Sequence, residues 1–138
     1  MFYNCSIFSV GADMIVNPVN TVGVMGAGLA LQFANKYPEM LNEYKLKCKD
    51  GTIGKGYLTK ARGQLIWQFP TKTHWINDSD YKQIINNMEF FAEKVNESKF
   101  TGSIAFPRLG CGLGGLDWKS VKQIILENFD ESRIYINR

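Results

Sequence analysis

The sequence predicts an α/β domain in which strands alternate with helices. Short runs rich in β-branched and aromatic residues alternate with segments whose apolar residues recur at helical spacing. Glycines cluster where a predicted strand gives way to a predicted helix. The chain has 138 residues, and a domain of that size buries roughly two-thirds of its unfolded surface. We therefore expect a single α/β layered domain over residues 1–138.

The first half of the chain surrounds a glycine-rich loop. Residues 2–8 and 13–17 predict short strands, the second of them buried. After the loop, residues 28–36 predict a helix made of good helix formers. Pro38 interrupts this helix and suits the first position of a second one, over residues 38–48.

The second half of the chain continues the alternation. Residues 57–59 and 65–69 predict two strands joined by a turn at Gly63. Residues 80–96 predict an amphipathic helix, because apolar residues recur at helical spacing behind Asp80, a suitable N-cap. The remaining predicted elements are a strand at 103–106, a helix at 117–128 and a strand at 133–136.

Composition excludes several classes of protein. Apolar residues make up 45% and charged residues 21% of the chain, which is inconsistent with a disordered protein. No stretch approaches the roughly 20 apolar residues of a membrane span, and the N-terminus lacks the features of a signal peptide. The net charge is +3, but residues 36–62 carry seven basic and three acidic residues. This segment is either a surface that contacts phosphates or an ordinary solvated face.

Cysteine and histidine usage argues against a metal centre. Cys5, Cys48 and Cys111 are widely spaced, and His74 is the only histidine. The spacing predicts neither a zinc site nor a disulfide framework. We therefore expect no metal, no cofactor and a reducing, cytoplasmic setting.

Two glycine-rich windows are the strongest chemical signal. Seven of the thirteen glycines lie in them: Gly23, Gly26, Gly28, Gly110, Gly112, Gly114 and Gly115. Both windows follow a predicted strand and precede a predicted helix, where ligands bind in open α/β sheets. Glycine lets backbone N–H groups approach an anion, and a helix N-terminus favours negative charge. Neither window fits a dinucleotide or P-loop fingerprint, so plain turns are the alternative; two facing loops predict a diphosphate clamp.

Polar residues follow the strands that precede these loops. Asn17 and Asn20 carry amides that suit ribose hydroxyls, with turn capping as the alternative. Lys72 follows a predicted strand, where it is either a nucleophile toward a carbonyl-like carbon or a surface lysine. His74, two residues further on, is either a general base or a packing residue.

Three segments resemble a known family. They are NPVNTVGVMGAGLALQFANKYP, FPTKTHW and FPRLGCGLGGLDW. Together they resemble a macrodomain, most closely the DNA ADP-ribosyl glycohydrolase antitoxin branch, which is related to the terminal ADP-ribose glycohydrolases. The resemblance runs from about residue 3 to the end of the chain. It implies a three-layer α/β/α macrodomain with a mixed central sheet, and ADP-ribose as the ligand.

The resemblance also implies roles for individual residues. Lys72 falls at the position of the catalytic lysine, and Asn20 would face the distal ribose as the second catalytic residue. The residues expected to contact the ligand are Ser6, Ile7, Asn17, Val24, Met25, Gly26, Ala27, Gly28, Pro107, Leu109, Gly110, Cys111, Gly112, Leu113, Gly114 and Gly115.

Two positions depart from the family pattern. Many macrodomains hold the adenine amino group with an aspartate in a Gly-Asp-Ile stretch, whereas this chain has Ser6 between Cys5 and Ile7. A neutral hydroxyl makes a weaker contact than a carboxylate. The terminal ADP-ribose glycohydrolases also carry a catalytic aspartate where this chain has Gly114. Asp117, three residues later, is expected to cap a helix instead.

The resemblance implies an ADP-ribosyl glycohydrolase with a lysine-assisted mechanism. The expected substrate is ADP-ribose on a nucleobase of single-stranded DNA, and the implied partners are that DNA and a cognate toxin. Two alternatives stay open: a phosphatase acting on ADP-ribose 1″-phosphate, and a non-catalytic ADP-ribose reader or sponge. A partner-binding domain commonly follows the macrodomain in the antitoxin branch; this chain ends at Arg138, so we expect none within it.

Overall fold

A computed structural model describes residues 1–72, 79–112 and 114–137. Six strands form one mixed sheet: β1 (Phe2–Tyr3), β2 (Met14–Asn20), β3 (Tyr57–Ala61), β4 (Gln64–Lys72), β5 (Ile104–Phe106) and β6 (Ile134–Asn137). The strand order is β1-β6-β5-β2-β4-β3, and every pair in it is parallel except β3 with β4. The helices are α1 (Gly28–Lys36), α2 (Leu41–Asp50), α3 (Tyr81–Glu97) and α4 (Trp118–Asn128).

Helices cover both faces of the sheet. Along β2, Met14 and Val16 pack with α3 and α4, whereas Ile15 and Val19 pack with α1 and α2. This alternation follows from the two-residue period of a strand. Phe91 of α3, which is fully buried, stacks on Trp67 with ring centroids 4.6 Å apart. The expected three-layer α/β/α arrangement with a mixed central sheet is therefore confirmed.

Three strands differ from the predictions by three or more residues at one end. The first strand is only Phe2–Tyr3, because the chain turns into a short 3₁₀ helix at Ile7–Ser9. The second continues past residue 17 through Pro18 to Asn20. Beyond Ile15, β2 is paired along one side only, so Pro18 can lie in it although it lacks an N–H. The fourth strand extends to Lys72, which belongs to the strand rather than following it.

The helix boundaries follow the predicted signals closely. Asp80 caps α3 by accepting a hydrogen bond from the Lys82 N–H. Asp117 caps α4 through the Ser120 N–H, as expected. The segment that begins at Pro38 first forms a 3₁₀ turn and then α2, which ends at the left-handed Gly51.

Within the described residues, no helix has the length and apolar character that crossing a bilayer requires. The same part of the chain contains no group of three or more histidine, cysteine, aspartate or glutamate side chains that could hold a metal ion.

Candidate functional site

The candidate site lies at one edge of the sheet, where four neighbouring parallel strands end. Asn137, Phe106, Asn20 and Lys72 are the last residues of β6, β5, β2 and β4. Because these strands are adjacent in that order, their ends form a row. Across the sheet the four ends are separated by three inter-strand steps of about 4.8 Å, and β2 also extends five residues beyond Ile15, the last residue that it pairs with β5. An elongated ligand can therefore lie across the strand ends, which is the usual binding edge of such sheets.

Asn20 organises the loop that connects β2 to α1. Its Nδ2 donates to the carbonyl of Val24 over 2.7 Å. Its Oδ1 accepts from the N–H of Val22 at 3.1 Å and from the hydroxyl of Tyr44 at 2.8 Å. The Tyr44 hydroxyl also lies 2.9 Å from the Asn20 carbonyl. These contacts favour the turn-capping role that the sequence left open for Asn20, because its amide bonds its own loop.

Asn17 is fully buried beneath the same loop. Its Nδ2 donates to Gln68 Oε1 at 2.9 Å and lies 3.8 Å from the sulfur of Met25. Met25 is itself only 6% exposed. With no exposed surface, Asn17 supports the loop, and Met25 packs into the core. The expected ligand contact at Asn17 stays a prediction.

The N-terminus of α1 begins at the end of this loop and is open to solvent. Gly26, Ala27 and Gly28 are all exposed. The N-cap position is Ala27, whose side chain cannot cap, and the first turn contains no acidic residue. Gly28 has φ +56°, a left-handed conformation that favours glycine. The backbone N–H groups here can meet an anion, assisted by the helix dipole.

The second loop runs from Pro107 to Leu116 and folds back on itself. The N–H of Leu116 donates to the Gly110 carbonyl over 2.9 Å, and the N–H of Gly115 donates to Gly112 over 3.3 Å. Gly112 and Gly115 are exposed, whereas Leu109 is fully buried and belongs to the core. The expected ligand contact at Leu109 also stays a prediction. Leu113 lies outside the described residues.

Cys111 is half-buried in this second loop. Its thiol donates to the carbonyl of Leu109 over 3.3 Å. Burial raises the pKa of the Cys111 thiol to about 11. The side chain is thus a neutral thiol near neutral pH, and the loop offers a ligand its backbone rather than a thiolate.

Gly114 has no room for a side chain. A Cβ added there would lie 2.9 Å from the Gly110 carbonyl carbon and closer still to the Gly110 oxygen and Ser79 Oγ. The N–H of Ser79 donates to the Gly114 carbonyl over 3.0 Å, which holds the contact together. A catalytic aspartate at this position would therefore require a different loop conformation.

Lys72 and Asn20 are direct neighbours at the edge of the sheet. They are register partners across the β2–β4 pair, immediately after an irregularity at Val19. Lys72 is half-buried, at the last position of β4. The pairing brings together the two residues that the resemblance assigned to catalysis. His74 lies outside the described residues.

A cleft of about 260 Å³ opens at the other end of the row, beside β6. The expected ligand residues Ser6, Ile7 and Pro107 line it, and Ser6 Oγ also accepts from the N–H of Phe8 over 3.2 Å. Sequence reasoning missed the other lining residues: Tyr3, Leu29, Gln32, Arg108 and Asn137. Leu29, Gln32 and Arg108 lie within segments already singled out. Asn137 directly follows a predicted strand, and it could have been found because ligands bind at the carboxyl ends of strands in such sheets.

A larger and shallower groove lies elsewhere on the surface. It has a volume of about 540 Å³ and is lined by residues around Lys36, Lys60 and Arg62. Arg62 follows β3, at the start of β4, whereas Lys72 ends β4. The groove is therefore at the opposite end of the sheet from the two glycine loops and shares none of their residues.

Comparison with known proteins identifies the family. The Macro domain family model matches residues 16–125. The DNA ADP-ribosyl glycohydrolase of Mycobacterium tuberculosis is 42% identical over 126 residues, covering 86% of this chain and 35% of that protein. The chain thus corresponds to about a third of this curated relative's length.

Solved structures agree with this assignment. The macrodomain of Mycobacterium tuberculosis DarG superposes with a TM-score of 0.88 at 36% identity, covering 99% of this chain and 97% of that one. Thermosipho africanus DarTG in complex with ADP-ribose superposes with a TM-score of 0.85 at 31% identity, covering 96% and 39%. The fold, the two glycine loops and the family model agree, and the chain belongs to the macrodomain family.

Proposed function

We propose that this macrodomain binds ADP-ribose along the row of strand ends. The adenosine occupies the cleft beside β6, and the diphosphate lies between the exposed backbone of Gly26–Gly28 and that of the second loop. The distal ribose then reaches Lys72 and Asn20. The similarity to Thermosipho africanus DarTG in complex with ADP-ribose supports this ligand.

The activity we propose is hydrolysis of the bond between ADP-ribose and a nucleobase of single-stranded DNA. Its support is the name DNA ADP-ribosyl glycohydrolase carried by the Mycobacterium tuberculosis relative, of which this chain spans about a third. The single observation that carries the proposal for this chain is the pairing of Lys72 with Asn20 at the end of the row. We place the reaction in the cytoplasm, where it reverses the modification made by a toxin that attaches ADP-ribose to DNA.

Lys72 acts at the anomeric carbon of the distal ribose in this proposal. Its neutral amine either attacks that carbon and displaces the base, after which water hydrolyses the bond between the ribose and the lysine, or, when protonated, it assists departure of the base electrostatically while water attacks the carbon. Asn20 contributes by fixing the loop that faces the ribose, through its bonds to Val24 and Val22. The loops bind the diphosphate through backbone N–H groups, which positions the anomeric carbon for attack.

The DNA strand is proposed to leave the site past α2. Lys45 and Lys49 are exposed on this helix, and the Cα of Lys45 lies beside Gly23 of the first loop. Lysines that contact phosphates release counterions, so affinity for the DNA substrate falls steeply as salt increases. Affinity for free ADP-ribose, which does not extend past the loop, depends less on salt.

The central test is turnover of an ADP-ribosylated single-stranded oligonucleotide by Lys72 variants. We expect Lys72→Ala to abolish turnover while ADP-ribose binding, measured by calorimetry, is retained. Lys72→Arg separates the two roles, because arginine keeps the charge but is not a nucleophile. Residual turnover in Lys72→Arg indicates electrostatic assistance, and its loss indicates attack by the amine.

The controls separate the alternative functions. Lys60→Ala, an exposed lysine of β3, should leave turnover unchanged. Full activity of Lys72→Ala would refute the role of Lys72. Turnover of ADP-ribose 1″-phosphate but not of the oligonucleotide would favour the phosphatase. ADP-ribose binding without turnover of either substrate would favour the reader.

A further inference from the structure

Two hydrogen bonds connect the start of α3 to the second loop. The N–H of Ser79, two residues before the helix, donates to the Gly114 carbonyl over 3.0 Å. The hydroxyl of Tyr81, the first residue of α3, accepts from the N–H of Asp117 over 2.8 Å. Asp117 directly follows the second loop and is the N-cap of α4. The carboxyl-terminal end of the loop is therefore fixed to the start of one helix.

A third hydrogen bond connects the same helix to the strand that carries Lys72. The pairing of β3 with β4 ends at Tyr57 opposite Gln68, two residues before Pro70. At Pro70, the carbonyl accepts from Asn87 Nδ2 of α3 over 2.9 Å. Asn87 is only 4% exposed, so water competes little for this bond. Since Pro70 lies two residues before Lys72, α3 is fixed close to the strand end that positions Lys72.

The helix between these contacts is a rigid spacer. Tyr81 and Asn87 are six residues apart, which places them about 9 Å apart along the helix axis. Ile84 and Met88 are fully buried in the core between α3 and the sheet. Sliding this part of α3 would disturb the packing of both side chains, and a close-packed core resists such a change. The helix therefore sets the distance between the second loop and the end of β4.

We propose that Tyr81 is a positioning residue for the reaction, because its hydroxyl lets α3 hold the second loop at a fixed distance from Lys72. In the proposed function, the second loop binds the diphosphate while Lys72 acts at the anomeric carbon of the same ligand. A loosely held loop still binds the diphosphate, but it presents the anomeric carbon in a wider range of positions. A misplacement of about 1 Å can lower a rate by about 100-fold. This inference rests on the proposed function, which supplies the reaction.

The test compares Tyr81→Phe with the unaltered protein in two assays. One is turnover of an ADP-ribosylated single-stranded oligonucleotide, and the other is calorimetric titration with ADP-ribose. Phenylalanine keeps the ring and removes the oxygen that accepts from the Asp117 N–H. We expect kcat to fall about tenfold, whereas KM and the Kd for ADP-ribose change by less than about threefold. The stoichiometry of the titration shows that the whole sample is folded, so a lower kcat does not reflect an inactive fraction.

Two further variants test the connection through α3. Asn87→Leu acts at the other contact, because leucine has a similar size but donates no hydrogen bond to Pro70. It should also lower kcat more than it lowers ADP-ribose affinity. Because both residues act on one distance, the double variant with Tyr81→Phe should lose less than the product of the two single losses. Tyr37→Phe is the control: Tyr37 follows the end of α1 that lies away from the first loop, and kcat should be unchanged.

Three results would overturn the inference: an unchanged kcat in Tyr81→Phe, a loss of ADP-ribose affinity as large as the loss of turnover in that variant, or single losses that multiply in the double variant. In each of them the unaltered protein still turns over the oligonucleotide, so the proposed function stands. Absence of turnover by the unaltered protein overturns the inference together with the proposed function.

Discussion

The close contact between Gly114 and Ser79 predicts that even a methyl group added at position 114 lowers the stability of the protein. In Gly114→Ala, the new methyl group would meet Ser79 Oγ and the Gly110 carbonyl inside van der Waals distance. The Gly110 carbonyl is part of the backbone, and Ser79 is held close to the loop because its N–H donates to the Gly114 carbonyl. The loop must therefore shift to accept the methyl group.

The magnitude follows from the cost of overpacking. Forcing a methyl group into a filled site costs about 1–3 kcal/mol. For a chain of this length, each kcal/mol lowers the Tm by about 3–5 °C. We therefore expect Gly114→Ala to unfold roughly 3–15 °C below the unaltered protein. ADP-ribose affinity should fall as well, because the shifted backbone belongs to the second loop.

Gly112 provides the matched control in the same loop. A Cβ at Gly112 would meet no heavy atom within 4 Å, and its φ is not in the left-handed range. Gly112→Ala should therefore change the free energy of unfolding by less than about 0.5 kcal/mol. Calorimetric thermal unfolding of both variants decides the matter. Equal melting temperatures for Gly114→Ala and Gly112→Ala would refute the reasoning.

Three further predictions concern the titration of Tyr3, the reactivity of two cysteines and the hydrogen bonds of the first loop. Burial raises the pKa of Tyr3 to about 12 from an unfolded value near 10. The contribution of the neutral Tyr3 hydroxyl to stability is therefore complete below pH 10 and is lost as the pH rises toward 12. The Tm measured against pH should fall less steeply in Tyr3→Phe. Iodoacetamide should label the exposed Cys5 well before Cys111, whose thiol pKa is raised, as peptide mass spectrometry would report. In a double-mutant cycle measured by denaturant unfolding, the losses in free energy of unfolding from Tyr44→Phe and Asn20→Ala should differ from additivity by about 1 kcal/mol, because both variants break the same hydrogen-bond network. Strictly additive losses would contradict the coupling of the two side chains.

Local signals in the sequence predict much of the fold. Asp80 and Asp117 cap the helices as expected, since an N-cap requires only a few neighbouring residues. The clustering of glycines predicts where both loops lie, because glycine permits local backbone conformations that other residues avoid. These features depend on short stretches of chain, and short stretches are what a single sequence reveals.

Long-range pairing accounts for most of what the sequence does not predict. Tyr3 and Asn137 line the same cleft because β1 pairs with β6, with Phe2 opposite Ile136. No local pattern encodes a contact between the two ends of the chain. Asn20 illustrates a second limit, since an exposed turn amide and a buried loop-organising amide look alike until Tyr44 is placed beside it.

The spacing between the two glycine loops depends on a short stretch of strand pairing. The first loop follows β2 and the second follows β5, and these strands are in register only at Met14 with Ile104 and Ile15 with Ala105. A slip of one residue would move one loop past the other by about 3.3 Å and reverse the faces of the side chains. Met14 and Ile15 pack into opposite cores, so such a slip would exchange side chains between the two cores and disrupt the packing of both. The two cores therefore hold the loops at one separation, and the geometry of the site is a consequence of how the interior packs.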